Sequence, residues 1–286
     1  MKKKILKIGA AVLAVLLIVG VAWFANSLVG NPLSKALAQN TAKKHMEETY
    51  GNTDYELGEV VYSFKDGYYH AHVSSPSSID TNFELLLNGF GKLQYDNYDY
   101  TVKSGWSTAS RIRGDYRAAV ETLLNSSSFP YNAHMGYGDL MFVSSENKGA
   151  PGIPDYAIPS EELTLDAYYN ANEMGAGKLT IYLEDGTVSA ERLAEILLDI
   201  RKSFDEAGIG FYAIDFILEY PQSATEPTEI ERMEVMDFLY SDIYEDGLAE
   251  FQEEIAEAEE ELAEAEQDIR ELEEPDSYVL GRDTNV

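Results

Sequence analysis

Few residues in this chain stand at spacings that do chemistry. Gly105-Trp106-Ser107-Thr108-Ala109 comes near the turn that presents a serine nucleophile between a strand and a helix, with Ala109 where the last glycine would stand. That chemistry needs a base, and only one histidine, His134, follows it. The plainer reading makes Ser107 or Thr108 the N-cap of a helix over 107–124. His70 and His72 are two apart on a predicted strand, so they share a face and would seed a metal site if a third ligand joined them. Tyr69, Ala71 and Val73 read as the core face, which puts both histidines on the wet side. Asp242, Asp246, Gly247 and Glu253 match positions 1, 5, 6 and 12 of a calcium loop, but Tyr244 occupies position 3, where an oxygen ligand is needed. Paired carboxylates for glycoside hydrolysis carry little information in a chain with 51 acids. No catalytic, cofactor-binding or metal residue is assigned from the sequence.

Composition narrows the classes further. The 286 residues hold 21 Lys and Arg against 51 Asp and Glu, a formal net charge of −30. Such a field repels nucleic acid and favours cations or a basic protein partner. No phosphate loop or dinucleotide fingerprint is present. The absence of cysteine excludes disulfides, thiol nucleophiles and thiolate metal sites.

The elements that would position these residues follow from pattern. Lys2, Lys3, Lys4 and Lys7 precede an uncharged run from Ile8 to Ala25. This predicts a cytoplasmic tail over 1–7 and a transmembrane helix over 8–29 that uses the lipid bilayer as its partner, with the bulk of the chain outside the cell. Ala25-Asn26-Ser27 also offers a cleavage site after Ser27. The expected fold class is α+β. A helix at 32–50 with Leu33, Ala36, Leu37 and Met46 as its apolar positions, then strands at 55–64, 68–74, 81–87 and 91–103 and the helix at 107–124, make a first domain over 31–127 with an antiparallel sheet. A linker over 128–160 follows, with 139–144 as a candidate short strand. A second α/β domain over 161–241 has strands at 162–168, 178–184, 210–219 and 232–240. Its best helix runs over 189–207, capped by Ser189 and ended by Gly208, with Leu193, Ile196, Leu197, Ile200 and Phe204 as its stripe.

The final stretch differs. Leu248, Phe251, Ile255, Ala258, Leu262, Ala265, Ile269 and Leu272 repeat at heptad spacing within an acidic helix over 242–274. Its flanking positions are almost all acidic, which disfavours self-pairing and puts packing on its own domain first, docking to a basic partner helix second and self-association last. A disordered tail is expected over 275–286.

Several short runs are shared with a known group. Asn31-Pro32-Leu33-Ser34-Lys35, Ser63-Phe64-Lys65-Asp66-Gly67-Tyr68, Ser74 to Thr81, Tyr98-Asp99 and Ser104 to Thr108 with Arg111 resemble the YfjL-like proteins of Bacillus and its relatives. The resemblance covers about residues 1–125 well and 160–240 loosely. It implies an anchored, two-domain protein of a Gram-positive-type cell envelope, and it implies no activity or site residue. The function expected is a non-catalytic binding or assembly module at the envelope. An envelope hydrolase using carboxylates or a metal is the alternative.

Overall fold

The computed structural model describes residues 2–221, 232–249 and 252. It is α+β, and the chain divides into two compact units, one of 1–115 with 141–171 and the other of 116–140 with the residues from 172 onward.

Helix α1 (Lys2–Val29) contains the uncharged run. Among the described residues, however, no helix is long and apolar enough to cross a membrane. This corrects the transmembrane helix expected over 8–29. The uncharged run from Ile8 to Ala25 is eighteen residues, at the lower end of the length a spanning helix needs. The same helix also takes in four lysines at one end and Asn26 and Ser27 at the other.

Helix α2 (Pro32–Tyr50) starts where Asn31 accepts a hydrogen bond from the Ser34 amide at 2.8 Å, with Pro32 in the first turn. Its buried face is Ser34, Ala38, Ala42 and Met46, a step of four. Leu33 and Leu37, expected on that face, are 71% and 41% exposed. Small residues on the buried face let the helix backbone lie close to the sheet, so the large aliphatics are turned outward.

That sheet is an antiparallel meander of β1 (Glu56–Tyr62), β2 (Tyr69–Ser75), β3 (Ser78–Leu87) and β4 (Leu93–Asp96). Tyr69, Ala71 and Val73 alternate inward opposite Leu87, Leu85 and Phe83. Together with Ala38, Ala42 and Met46 they form one core. The return strand expected over 91–103 is only four residues long. After it the backbone tightens into a single π-helical turn, Asp99–Lys103, a rare conformation that recurs at functional sites. Helix α3 (Trp106–Leu124) follows.

The second sheet has the order β10-β9-β8-β5. Strands β8 (Gly177–Glu184) and β9 (Ala213–Glu219) are parallel, and α4 (Ala190–Ala207) makes the long crossover that a parallel pair requires. β5 (Ala133–Leu140) and β10 (Arg232–Leu239) pair antiparallel on the two sides. α4 begins at Ser189, ends at a left-handed Gly208 and buries the five expected residues together with Ala194. β5 lies in the stretch read as a linker, and no strand forms at 162–168, where a 3-10 turn and loop stand instead. A β-carbon at Gly138 in β5 would sit 2.6 Å from Val120 and 2.7 Å from Tyr116 of α3. The glycine that hides β5 in the sequence thus marks where a helix approaches the strand.

Residues 245–249 are helical, and Ile243 and Leu248 are buried. Apart from residue 252, the rest of the acidic helix expected over 242–274, and the tail over 275–286, lie outside the described residues.

Candidate functional site

The first unit contains a cleft of ≈ 650 Å³ with two walls. One wall is Tyr95 on β4, then Asp99 and Tyr100 on the π turn, then Ser104 and Trp106. The other comes from β6 (Phe142–Val143), the loop behind it with Glu146 and Ile153, and Ser160 and Glu161 beyond β7 (Ile158–Pro159). β6 and β7 pair in parallel, and this short ladder holds the second wall in shape.

Two fastenings hold the walls together. Gly105 has φ +73°, and a β-carbon there would sit 1.9 Å from the Ser160 carbonyl oxygen, so backbone meets backbone at the cleft floor. Only glycine fits such a position. Below it, the buried Asp80 carboxylate accepts from Arg111 Nε at 2.7 Å and Nη2 at 3.0 Å. Asp80 also accepts from the Asp166 amide, while Asp166 accepts from the Asp80 amide and the Ser78 hydroxyl. Arg111 Nη2 donates on to the Ala167 carbonyl at 2.8 Å. The 141–171 segment is therefore tied to the first sheet by charge-assisted bonds. Burial pushes the Asp80 carboxyl up, but hydrogen bonds from Arg111 and its other donors outweigh this and hold it below the usual aspartate range.

Aromatic faces dominate the lining. Tyr95 and Tyr100 are 50% and 61% exposed. Trp106 and Phe142 share a cation of the chain itself: the Arg113 guanidinium lies 5.2 Å from the Trp106 ring centre and 5.7 Å from that of Phe142. The lining contains three acids, Asp99, Glu146 and Glu161, and no Lys, Arg or His. Burial would raise the Glu161 carboxyl, but its own backbone amide and the Ser145 hydroxyl and amide, these last two at 2.9 Å, hold it below the ordinary glutamate range. Asp99 pairs with Lys103 one π turn later at 2.9 Å.

The residues singled out in the sequence lie elsewhere or have structural partners. α3 starts at Trp106, one residue before the expected cap. The Gly105 carbonyl accepts its first helical bond from Ala109, and the Ser104 hydroxyl accepts from the Trp106 amide at 3.3 Å. Ser107 donates to the Thr101 carbonyl at 3.0 Å and Thr108 is buried, so neither hydroxyl is presented as a nucleophile. His70 lies between Glu84 at 2.9 Å and Asp66 at 2.8 Å, and His72 is exposed on the same sheet face. Among the described residues no group of three or more His, Asp or Glu is placed to hold a metal ion. The stretch resembling a calcium loop is already helical from Glu245, which prevents its early positions from curling around an ion, and Glu253 lies outside the described residues. Sequence reasoning missed Tyr95, Tyr100 and the whole second wall. The available signal was a set of aromatics around Gly105 facing a loop rich in glycine and proline.

No curated protein and no solved structure matches the chain. Two family models do. The YfjL-like N-terminal domain matches residues 2–103 and the YfjL-like C-terminal domain matches residues 115–255. The first wall of the cleft up to Ser104 therefore falls almost wholly in the N-terminal match, and the second wall falls in the C-terminal one. Both domains occur in order and together span most of the sequence, so the chain belongs to the YfjL-like family.

Proposed function

We propose that the protein is a non-catalytic binding module and that the cleft between the π turn and the 142–161 segment is its binding site. The observation that carries this reading is a cavity lined by four aromatic side chains, two of which, Tyr95 and Tyr100, are half or more exposed. Its volume is within the range of about 300–1,000 Å³ typical of ligand sites. Its acids serve as rim charges or as hydrogen-bond acceptors of the loop, and no nucleophile paired with a base lines it.

The chain has two tryptophans, Trp23 and Trp106. In a Trp23→Phe protein labelled with 5-fluorotryptophan, the single fluorine signal reports on the cleft. Titration with panels of amines, peptides, oligosaccharides and nucleotides is expected to shift that signal for at least one class and to return the ligand unchanged. A signal indifferent to every class at millimolar concentration would overturn the assignment of the site. Conversion of a ligand that is lost in Glu161→Gln would overturn the non-catalytic reading.

A further inference from the structure

The chemistry of the lining narrows what this cleft accepts. Resting on the binding-module reading, we infer that it takes the cationic side chain of a basic peptide, a lysine ammonium or arginine guanidinium held between tyrosine faces and rim carboxylates. Three observations converge. The lining holds three acids, and the cations beside it are Lys103, paired with Asp99, and Arg113, on the Trp106 and Phe142 rings, so the acids still outnumber the bases around the cleft. Trp106 and Phe142 already carry the Arg113 guanidinium on their faces, which shows that aromatic rings of this site accommodate a cation in this geometry. Tyr95 and Tyr100 stand half or more exposed with acids beside them, the pairing of π face and carboxylate that recognises organic cations. The net charge of −30 would also draw a basic chain toward the molecule before it finds the cleft.

The occupant is a peptide rather than a free metal ion, because a bare divalent cation takes carboxylate and carbonyl oxygens and gains nothing from ring faces. A neutral sugar would also stack on tyrosine and donate its hydroxyls to the carboxylates, but it gains nothing from their charge, so salt dependence and the neutral oligomer below separate the two. Arginine and lysine differ in how they use such a site. Guanidinium stacks flat and binds carboxylates in a fork, so an arginine peptide is expected to bind more tightly than its lysine counterpart.

The test uses the full chain carrying Trp23→Phe and the fluorinated Trp106. The probes are amidated tri-arginine, tri-lysine and tri-glutamate peptides, tetramethylammonium chloride and a neutral glucose oligomer. The two basic peptides are expected to shift the Trp106 signal, tri-arginine at the lower concentration, and raising salt from 50 to 500 mM should weaken both several-fold. Asp99→Asn and Glu146→Gln, both exposed, should each cost about 2- to 5-fold in affinity. Tyr100→Leu should cost about 2- to 30-fold, and Tyr100→Phe should recover most of that loss. Tetramethylammonium should compete weakly at the same residues.

Basic peptides that bind with affinities indifferent to Asp99, Glu146 and Tyr100 would place the interaction elsewhere on the acidic surface and overturn the inference. Binding of the neutral oligomer without the basic peptides would overturn the cation while leaving the binding site standing. Silence from every one of these probes would overturn the cation reading, and the binding site itself falls only if the wider panel of amines, peptides, oligosaccharides and nucleotides is silent as well.

Discussion

Asp80 and Arg111 meet side-on, Oδ1 to Nε at 2.7 Å and Oδ2 to Nη2 at 3.0 Å, with Asp80 only 1% exposed. The pair links β3 to α3 and, through Asp166 and Ala167, to the segment that closes the cleft. Arg111→Met leaves a buried carboxylate unpaired and is expected to cost about 3 kcal/mol, at the low end for a buried pair because Arg111 retains some solvent contact. Arg111→Lys should recover little, since an ammonium cannot reproduce the fork. Urea midpoints of the three proteins measure this. The Asp80 carboxyl is depressed in the folded state, so its contribution is present above the unfolded aspartate range near about 4 and is lost as pH falls through the lower folded value. The gap between wild type and Arg111→Met should therefore close in acid, and a gap that stayed constant down to pH 2 would contradict the assignment.

Gly105→Ala adds a methyl at a left-handed position, where it meets the Ser160 carbonyl. The expected loss is at least about 2 kcal/mol from strain and overlap together. Because Trp106 follows directly, its emission should shift even under conditions where the variant is fully folded. An unchanged spectrum with unchanged stability would show that the two walls do not meet as described.

His70 provides a pH-dependent contribution with the opposite sign. Burial draws its pKa down, but hydrogen bonds and charges from Glu84 and Asp66 push it up and prevail. A raised folded value means the stabilisation is complete below the unfolded histidine range near about 6.5 and disappears as pH rises through the folded value. Melting temperatures of wild type and His70→Gln should therefore differ most near pH 5.5 and converge by pH 9. A difference that grew with pH would reverse the assigned role.

The small face of α2 predicts an asymmetry between neighbouring positions. Ala42→Leu pushes a side chain into a fully buried site and should cost about 1–3 kcal/mol. Leu33→Ser, at a position 71% exposed, should stay within about 0.5 kcal/mol of wild type. Equal losses at both positions in chemical denaturation would mean that the helix presents a different face.

How much of this was legible follows from the kind of signal each element leaves. α4 could be read because Ser189, Gly208 and a 3–4 apolar stripe agree with one another. β2 could be read because one of its faces is buried and the other carries His70 and His72. α2 could be bounded but not oriented, because its buried face is Ser34, Ala38 and Ala42, which hydropathy does not distinguish from a surface. β5 was invisible because Gly136 and Gly138 occupy positions where apolar residues would have shown alternation. A membrane span was expected over 8–29 on length and charge, and among the described residues no helix is long and apolar enough to meet the requirement. The cleft was the least legible part. Its two walls are separated by about forty residues of sequence, and they are brought together by the contact between Gly105 and Ser160 and by the bonds of Asp80 and Arg111 to residues 166–167.

The chain's route between its two units has a consequence for biogenesis. It leaves the first unit after Asp115, returns at Met141 and leaves again after Ala171. During translation the meander can pair early, but the cleft beside it stays half-built until residue 161 has cleared the ribosome, after β5 of the other unit has been synthesised. A fragment ending near residue 103, although it matches a whole family domain, would expose Asp80 without its arginine and Tyr100 without its facing wall. The natural unit for expression, for evolutionary shuffling and for quality control is therefore the interleaved pair, and neither domain alone is a complete module.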